Sequence, residues 1–308
     1  MSNEWCISQL YKFNRDLNNP LLTYSWSGDI ELDTSVQFGT QSTSFRRDKW
    51  YSQGTTEIQG LPWSGKTSNV SSTIDVDSER IIKPVKDLDK VIEMTDREMA
   101  IQNLSGNDVL GQKLAGLQEY FQFCTDQYVY LGDAQEAPDS GLLNNSEVGV
   151  GNVAVGASTF TEWATKTPEE ILADLNEILS QANENSGHMI YPNKILLPYA
   201  QYNLIATTPR ATFSDMTVLN YLQKNNIAIL SGTPLTIAPV KWNSGAGVGG
   251  TDRMIAYNQA PKFLRLPMYP LTPVKDIQTI SGFTRKYQWM YGQIEWVYPN
   301  TALYRDGI

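Results

Sequence analysis

The sequence predicts an α+β chain built, in order, from an extended arm, a protruding β-hairpin, one long helix, an α/β module and a β-rich return. Three observations carry that prediction. Leu110, Leu114, Leu117, Phe121, Cys124, Tyr128 and Leu131 recur at spacings alternating four and three, the period of a helix with one unbroken apolar seam. Thr167-Pro168-Glu169-Glu170 is a capping box with proline at the first helical position, which starts a second helix. Tyr287-Gln-Trp-Met-Tyr and Gln293-Ile-Glu-Trp-Val-Tyr alternate as strands of a sheet do.

Residues 1–43 are rich in Asn, Ser and Thr, with scattered aromatics (Trp5, Tyr11, Phe13, Tyr24, Trp26) and no sustained period. Such a stretch has little to bury by itself, yet its aromatics are costly to leave in water, so an arm lying along other surfaces is expected. From 44 to about 92, runs such as Lys49-Trp-Tyr-Ser and Ser71-Ser-Thr-Ile-Asp-Val-Asp flank the turn-rich Gly60-Leu-Pro-Trp-Ser-Gly65-Lys, which reads as a long hairpin. A short helical run, Arg97–Leu104, is separated by Ser105-Gly106 from the long helix, which Asn107 or Asp108 caps. From Asp108 to Leu131 that rod measures about 35 Å. Its seam stops after roughly three heptads with few charge pairs beside it, which favours a helix packed on a sheet over a coiled coil.

Gly132-Asp133 ends the rod, and Ser140–Asn145 with the Gly/Val-rich run to Ala157 follows as linker or strand and loop. In the next helix Ile171, Leu172, Leu175, Ile178, Leu179 and Ala182 form the apolar face. Lys194–Pro198 reads as a buried strand, Tyr199–Ala206 as a helical turn, and Ser214–Lys224 as a third helix capped by Ser214. From Asn226 onward strands are expected at Ile227-Ala-Ile-Leu, Leu235–Trp242 and Met254-Ile-Ala-Tyr.

Composition narrows the function classes. A chain of 308 residues with 41% apolar and 19% charged side chains can bury a substantial core, and eight Trp and sixteen Tyr suit large buried or intersubunit contacts. A net charge of −9 and the lack of any basic run argue against a surface that neutralises phosphates. The charge is segregated: residues 74–136 hold thirteen acidic and six basic side chains, whereas 255–308 hold three and six. Solvated faces explain this, and so do complementary patches that steer subunits together. Cys6 and Cys124 are too few for a disulfide framework or metal site. No stretch approaches ~20 continuous apolar residues, and the start Met-Ser-Asn-Glu-Trp lacks the regions of a signal peptide, so a cytoplasmically made protein with no membrane partner is expected.

Candidate chemistry is sparse. His188, the only histidine, sits in Asn185-Ser-Gly-His-Met with nothing nearby to orient an imidazole. Glu169 and Glu170 are explained by helix capping, and Asp75 and Asp77 by the wet face of a half-buried strand. Gly60–Thr67 satisfies the pattern G-x-x-x-x-G-K-[ST], but Ser68-Asn-Val-Ser-Ser-Thr is a poor start for the helix that a phosphate loop requires. Gly245-Ala-Gly247-Val-Gly249-Gly250 fits G-x-G-x-x-G, but a strand rather than a helix follows it, so a connection between two antiparallel strands is the better reading. No catalytic, cofactor-binding or metal-binding residue is expected, and a nucleotide-binding enzyme resting on these two glycine motifs is the alternative of another class.

The order of parts, together with the long helix, the Gly141-Leu-Leu-Asn144 that follows it and the carboxy-terminal strands, resembles the encapsulin-like major capsid proteins of tailed bacteriophages, whose fold is called Hong Kong 97-like. The resemblance implies an arm (1–43), an extension-loop hairpin (44–92), a peripheral domain with a spine helix (93–160), an axial domain (161–254) and strands returning to these domains (255–308). Glu98–Asp133 matches the spine helix with its preceding turn, Thr167–Val240 most of the axial domain, and Phe263–Pro267 with Trp289–Tyr298 the returning strands. It further implies a subunit that self-associates into pentamers and hexamers of an icosahedral shell around phage double-stranded DNA, in a virion assembled in the host bacterial cytoplasm. Decoration, portal or scaffold proteins are the possible further partners. Some relatives join Lys to Asn between subunits; Lys66 is the matching loop lysine, but no Asn or acid aligns as its partner. An encapsulin-type compartment is the alternative within the fold. The Gly245–Gly250 stretch is expected at a hairpin tip of the axial domain, near a symmetry axis.

Overall fold

The structure is a computed structural model that describes residues 24–53, 73–106, 108–133, 140–211, 215–230 and 232–308. Trp5, Cys6, Tyr11, Phe13, the Gly60–Thr67 motif with Lys66, Asn107 and Ser214 lie outside the described residues. Two sheets organise the chain.

The first sheet is built around a hairpin and a return. Strand β2 (Ser42–Gln53) pairs antiparallel with the 23-residue β3 (Thr73–Thr95), from Ser42 opposite Pro84 to Gln53 opposite Thr73. The paired hairpin therefore ends at Pro84, short of the 92 expected, because the second half of β3, from Val85 to Thr95, leaves β2 and pairs with β9 (Gly282–Gly292). Strand β8 (Leu264–Thr279) pairs antiparallel with β9, and the short β1 (Leu32–Asp33) joins β8 in parallel. The order is β1-β8-β9-β3-β2, with β10 (Glu295–Trp296) also on β8.

Helix α2 (Asp96–Ser105) follows β3, opened by a capping box of Thr95 and Glu98 and closed by Gly106 in the left-handed region that glycine tolerates. The long helix α3 (Val109–Leu131) has Asp108 as its cap. Of its seam, Leu117, Phe121 and Tyr128 are buried and Leu110, Leu114, Cys124 and Leu131 half-buried. The first half of α3 packs its seam on β3 and β9, where Leu117 meets Ile92 and Tyr287. The second half is buried more widely, including Thr125, Asp126, Val129 and Tyr130, because it lies between the two sheets.

The second sheet has the order β4-β11-β7-β5-β6, from β4 (Gly149–Asn152), β5 (Lys194–Leu197), β6 (Thr236–Pro239), β7 (Arg253–Tyr257) and β11 (Leu303–Asp306). Helix α4 (Pro168–Asn185) lies on it, started by the Thr167–Glu170 capping box. Ile171, Leu175, Ile178, Leu179 and Ala182 are all buried there, at about 2 kcal/mol for each large side chain. Helices α5 (Tyr199–Thr207), α6 (Val218–Lys224) and α7 (Ile227–Leu230) complete this half.

Several expectations are corrected. Helix α6 is capped by Thr217, not Ser214, because Thr217 forms an isolated β-bridge with Pro209 and then accepts from the amide of Asn220. Ile227–Leu230 is a helical turn rather than a strand, since the buried Asn226 accepts from the amide of Ile229. The strand expected through Trp242 stops at Pro239. The buried Asn243 turns the chain there, its side-chain amide donating to the carbonyls of Leu196 and Arg253 at 3.0 Å each. The Gly245–Gly250 stretch is not a hairpin tip, because β5 lies between β6 and β7, parallel to one and antiparallel to the other. The loop instead passes over the C-terminal end of an intervening strand. Trp26 is buried in its own chain, on α3, rather than left for another surface.

Candidate assembly surface

Two kinds of feature define the surface: elements that reach out with nothing to bury them, and buried polar fasteners that hold those elements at fixed angles. The β2–β3 ribbon is the first. Twelve paired residues extend it about 40 Å. Residues 75–80 are exposed without interruption, Val76 included, so this part has no dry face. That corrects the half-buried strand expected at Asp75 and Asp77. An isolated two-stranded ribbon is at best marginally stable in water. Its root is secured, with Phe45 buried and Arg47 donating to the carbonyls of Trp296 and Val297 and pairing with Glu147 at 2.6 Å.

At the opposite end of the same sheet, the β8–β9 turn and α2 leave Ile101, Leu104, Ile277 and Ile280 exposed, Leu104 at 89%. The amide of Asp96 donates to Ser281, so α2 and the turn are joined. Apolar side chains gathered in this way mark contact surfaces.

The fasteners begin with α1 (Trp26–Asp29). Asp29 is buried, pairs with Lys194 at 2.8 Å, accepts from the Tyr130 hydroxyl, and offers its carbonyl to the Tyr257 hydroxyl at 2.5 Å. Burial and then the Asp29 charge push the Tyr130 hydroxyl far above the ordinary tyrosine range, so it stays a donor. Asp126 on α3 accepts from the Ser25 amide at 3.0 Å, the Trp242 indole at 2.7 Å and Lys241 at 3.1 Å. One carboxylate thus joins the first described residues, the long helix and the second sheet.

Gly141-Leu-Leu-Asn144 has a mechanical role. Leu142 and Leu143 donate to the carbonyls of Val129 and Tyr130, and the Asn144 side chain donates to that of Leu131, which satisfies the otherwise orphaned end of α3. Arg253 extends this contact by donating to the Leu143 carbonyl while gripping Asp306 at 2.6 and 2.8 Å. Lys166 and Asp174 form a further buried pair at 2.5 Å; burial raises the Asp174 carboxyl above its ordinary range, opposed by Lys166.

The residues singled out from sequence are not brought together. His188 is exposed in a left-handed turn, with Asn183 as its only ring partner among the described residues. Glu170 accepts from Thr167 and Ala157, Glu169 is exposed, and Asp77 stands opposite Lys49 on the ribbon. In the glycine-rich loop the amides of Gly245 and Val248 donate to the carboxylates of Asp252 and Asp306, which sit where a phosphate cradle would need its ligand. Among the described residues no three His, Cys, Asp or Glu side chains gather as metal ligands, and no helix is long and apolar enough to cross a membrane.

The fasteners escaped sequence reasoning. Asp29, Asp126 and Lys194 look like ordinary polar residues in the chain; the single hint was Asp126 lying beside the apolar seam.

A ribbon, a long helix between two sheets and returning strands together define a Hong Kong 97-like shell subunit. A solved capsid of Myoviridae phage XM1 has the same fold over 98% of each chain, with a TM-score of 0.76 and 15% identity. The capsid of an empty GTA particle matches over 99% of this chain and 97% of its own, at 0.66 and 13%. A virus-like particle from Pyrococcus furiosus matches over 91% of each chain, at 0.51 and 15%. Among curated protein sequences nothing matches. The family model described as "Major capsid protein" matches residues 62–308, and the chain belongs to that family. It is a shell-forming structural subunit.

Proposed function

We propose that this chain builds an icosahedral shell of pentamers and hexamers around phage double-stranded DNA, and that it does so as a structural protein without catalysis. The observation that carries this reading is the ribbon: about 40 Å of paired backbone, with residues 75–80 exposed on both faces, is an element made to be covered by neighbours. Family membership supports the same reading.

In this proposal residues 1–43 act as the arm and 44–92 as the extension loop. Residues 93–160 with part of 255–308 form the peripheral domain, and 161–254 the axial domain. The exposed Val248 and the left-handed Gly245, Gly249 and Gly250 favour a place for that loop where several copies crowd together. The net charge of −9 would keep packed DNA from adhering to the inner wall. The virion is the proposed location, with assembly in the host cytoplasm and portal, scaffold or decoration proteins as further partners.

Size-exclusion chromatography followed by negative-stain microscopy of the purified chain tests the proposal. Closed shells are expected, with a DNA duplex showing no salt-sensitive affinity for them. A monomer that never assembles under crowding or varied salt would overturn it.

A further inference from the structure

We propose that a basic recess at the root of the β2–β3 ribbon receives the acidic stripe on β3 of a second copy of this chain. The inference rests on the shell-subunit reading and names the residues that hold copies together.

The recess is a cleft of ≈ 870 Å³ whose polar lining is Ser44, Arg46, Ser78, Arg80, Lys262 and Arg265. The hairpin register places Arg46 directly opposite Arg80 on one face. Like charges in that position destabilise a strand pair, so their placement is unfavourable unless an anion joins them. Within the chain the compensation is small. Both nitrogens of Arg46 that bond do so to the Ser78 hydroxyl, at 2.9 and 2.7 Å, and the nearest carboxylate, Asp48, is 3.7 Å away with both side chains more than half exposed. Arg80 donates to the Ser44 hydroxyl at 3.1 Å, and Lys262 lies over the Phe263 ring. Among the described residues neither Arg80 nor Lys262 has an ion pair. Arg265 is different, being neutralised by Glu295 at 2.6 Å. The cleft therefore keeps a positive surplus from Arg46, Arg80 and Lys262.

The complement lies on the same strand further along. Ile92 packs against Leu117, so the even positions of β3 face α3 and the odd ones face away. Asp87, Asp89, Val91 and Glu93 occupy the outward positions, all exposed, along about 20 Å. Asp89 is paired with Lys286 at 2.8 Å; among the described residues Asp87 and Glu93 have no ion pair. Recess and stripe occupy different stretches of β3, and a head-to-tail contact is the arrangement that pairs them in successive copies. Such a contact closes into rings when repeated by rotation, as a capsomer requires. The net charge of −9 disfavours nucleic acid as the occupant.

The test uses the full chain and three variants: Arg80→Glu with Lys262→Glu, Asp87→Lys with Glu93→Lys, and all four together. Light scattering and sedimentation read the concentration at which shells appear. Each double variant is expected to raise it about tenfold or more, and the quadruple variant to recover most of the loss, since both charges are then reversed. Circular dichroism of the unassembled subunits should be unchanged. Unaltered chain in 1 M salt, where the screening length falls to about 3 Å, should assemble like the double variants. Double variants that assemble normally, or a quadruple variant as defective as either, would overturn the docking. So would a recess variant that assembles normally yet loses affinity for a short DNA duplex, because the occupant would then be nucleic acid. If the unaltered chain forms no shells, the underlying function fails along with it; if it forms shells and the variants do too, only the docking fails.

Discussion

Replacing Gly141 with Ala should be among the most destabilising single changes in the chain. A Cβ there would lie 2.3 Å from the Tyr130 carbonyl oxygen, 2.4 Å from its carbon and 2.6 Å from the Gly132 nitrogen. All three are backbone atoms, so no side chain can rotate away. The segment must withdraw from the end of α3, which stretches the bonds from Leu142 to Val129 (2.8 Å), Leu143 to Tyr130 (3.1 Å) and Asn144 to Leu131 (2.8 Å). Overpacking costs about 1–3 kcal/mol. Three weakened hydrogen bonds add roughly 3 kcal/mol, for a total of about 4–6 kcal/mol. At about 2–4 °C per kcal/mol for chains of this size, the melting temperature of the unassembled subunit should fall by ~10 °C. Circular dichroism melting measures it, with Asn144→Ala as a control that removes a single bond and should cost about 1 kcal/mol. A Gly141→Ala shift below about 2 °C would refute the reasoning, since even the overpacking cost alone exceeds that.

Other perturbations separate the fasteners. Arg253→Met strands the buried Asp306 carboxylate and should cost about 3–5 kcal/mol in denaturant unfolding, whereas Arg253→Met with Asp306→Leu should cost much less; equal losses would show that the pair is not the source. Asp126→Ala removes the acceptor shared by Ser25, Trp242 and Lys241 and should lower stability by at least about 2 kcal/mol, with the largest rise in amide exchange at Ser25 and nearby residues. Lys113 and Thr95 hold the Glu98 carboxyl, and Thr167 and Ala157 the Glu170 carboxyl, below the ordinary glutamate value of 4.5. Folded values below unfolded ones mean that this stabilisation is complete above pH 4.5 and is lost as pH falls through the lowered values. Amide protection, relative to the intrinsic exchange rate, in the first turns of α2 and α4 should therefore fall on acidification, and Glu170→Gln should remove the dependence in α4; an unchanged pH profile in that variant would count against it.

What could be read from the sequence was local in origin. The Thr167–Glu170 box and the α3 seam depend on residues three and four apart, so both were legible. Non-local features were not. Asn226 converted a β-branched run into a helical turn through one side-chain bond, and Asn243 ended a strand by bridging Leu196 and Arg253. The glycine-rich loop is followed by a strand, as its sequence indicated. Its hairpin geometry was wrong because Lys194–Leu197, distant in sequence, takes the place between its flanking strands. Gly141 was visible as part of a motif, but its reason, the approach to Tyr130, exists only in three dimensions. Of the assembly surface, the long hairpin and the charge segregation were legible. The fasteners around Asp29 and Asp126 were not, since burial alone distinguishes them from surface acids.

The central claim is that the ribbon depends on other copies for its stability. Hydrogen exchange of residues 42–53 and 75–84, compared between unassembled subunits and purified shells, tests it most directly. The account predicts exchange near the free-peptide rate around residues 75–80 in the subunit and strong protection in the shell. Equal protection in both states would show that the ribbon is stable by itself and would contradict the account.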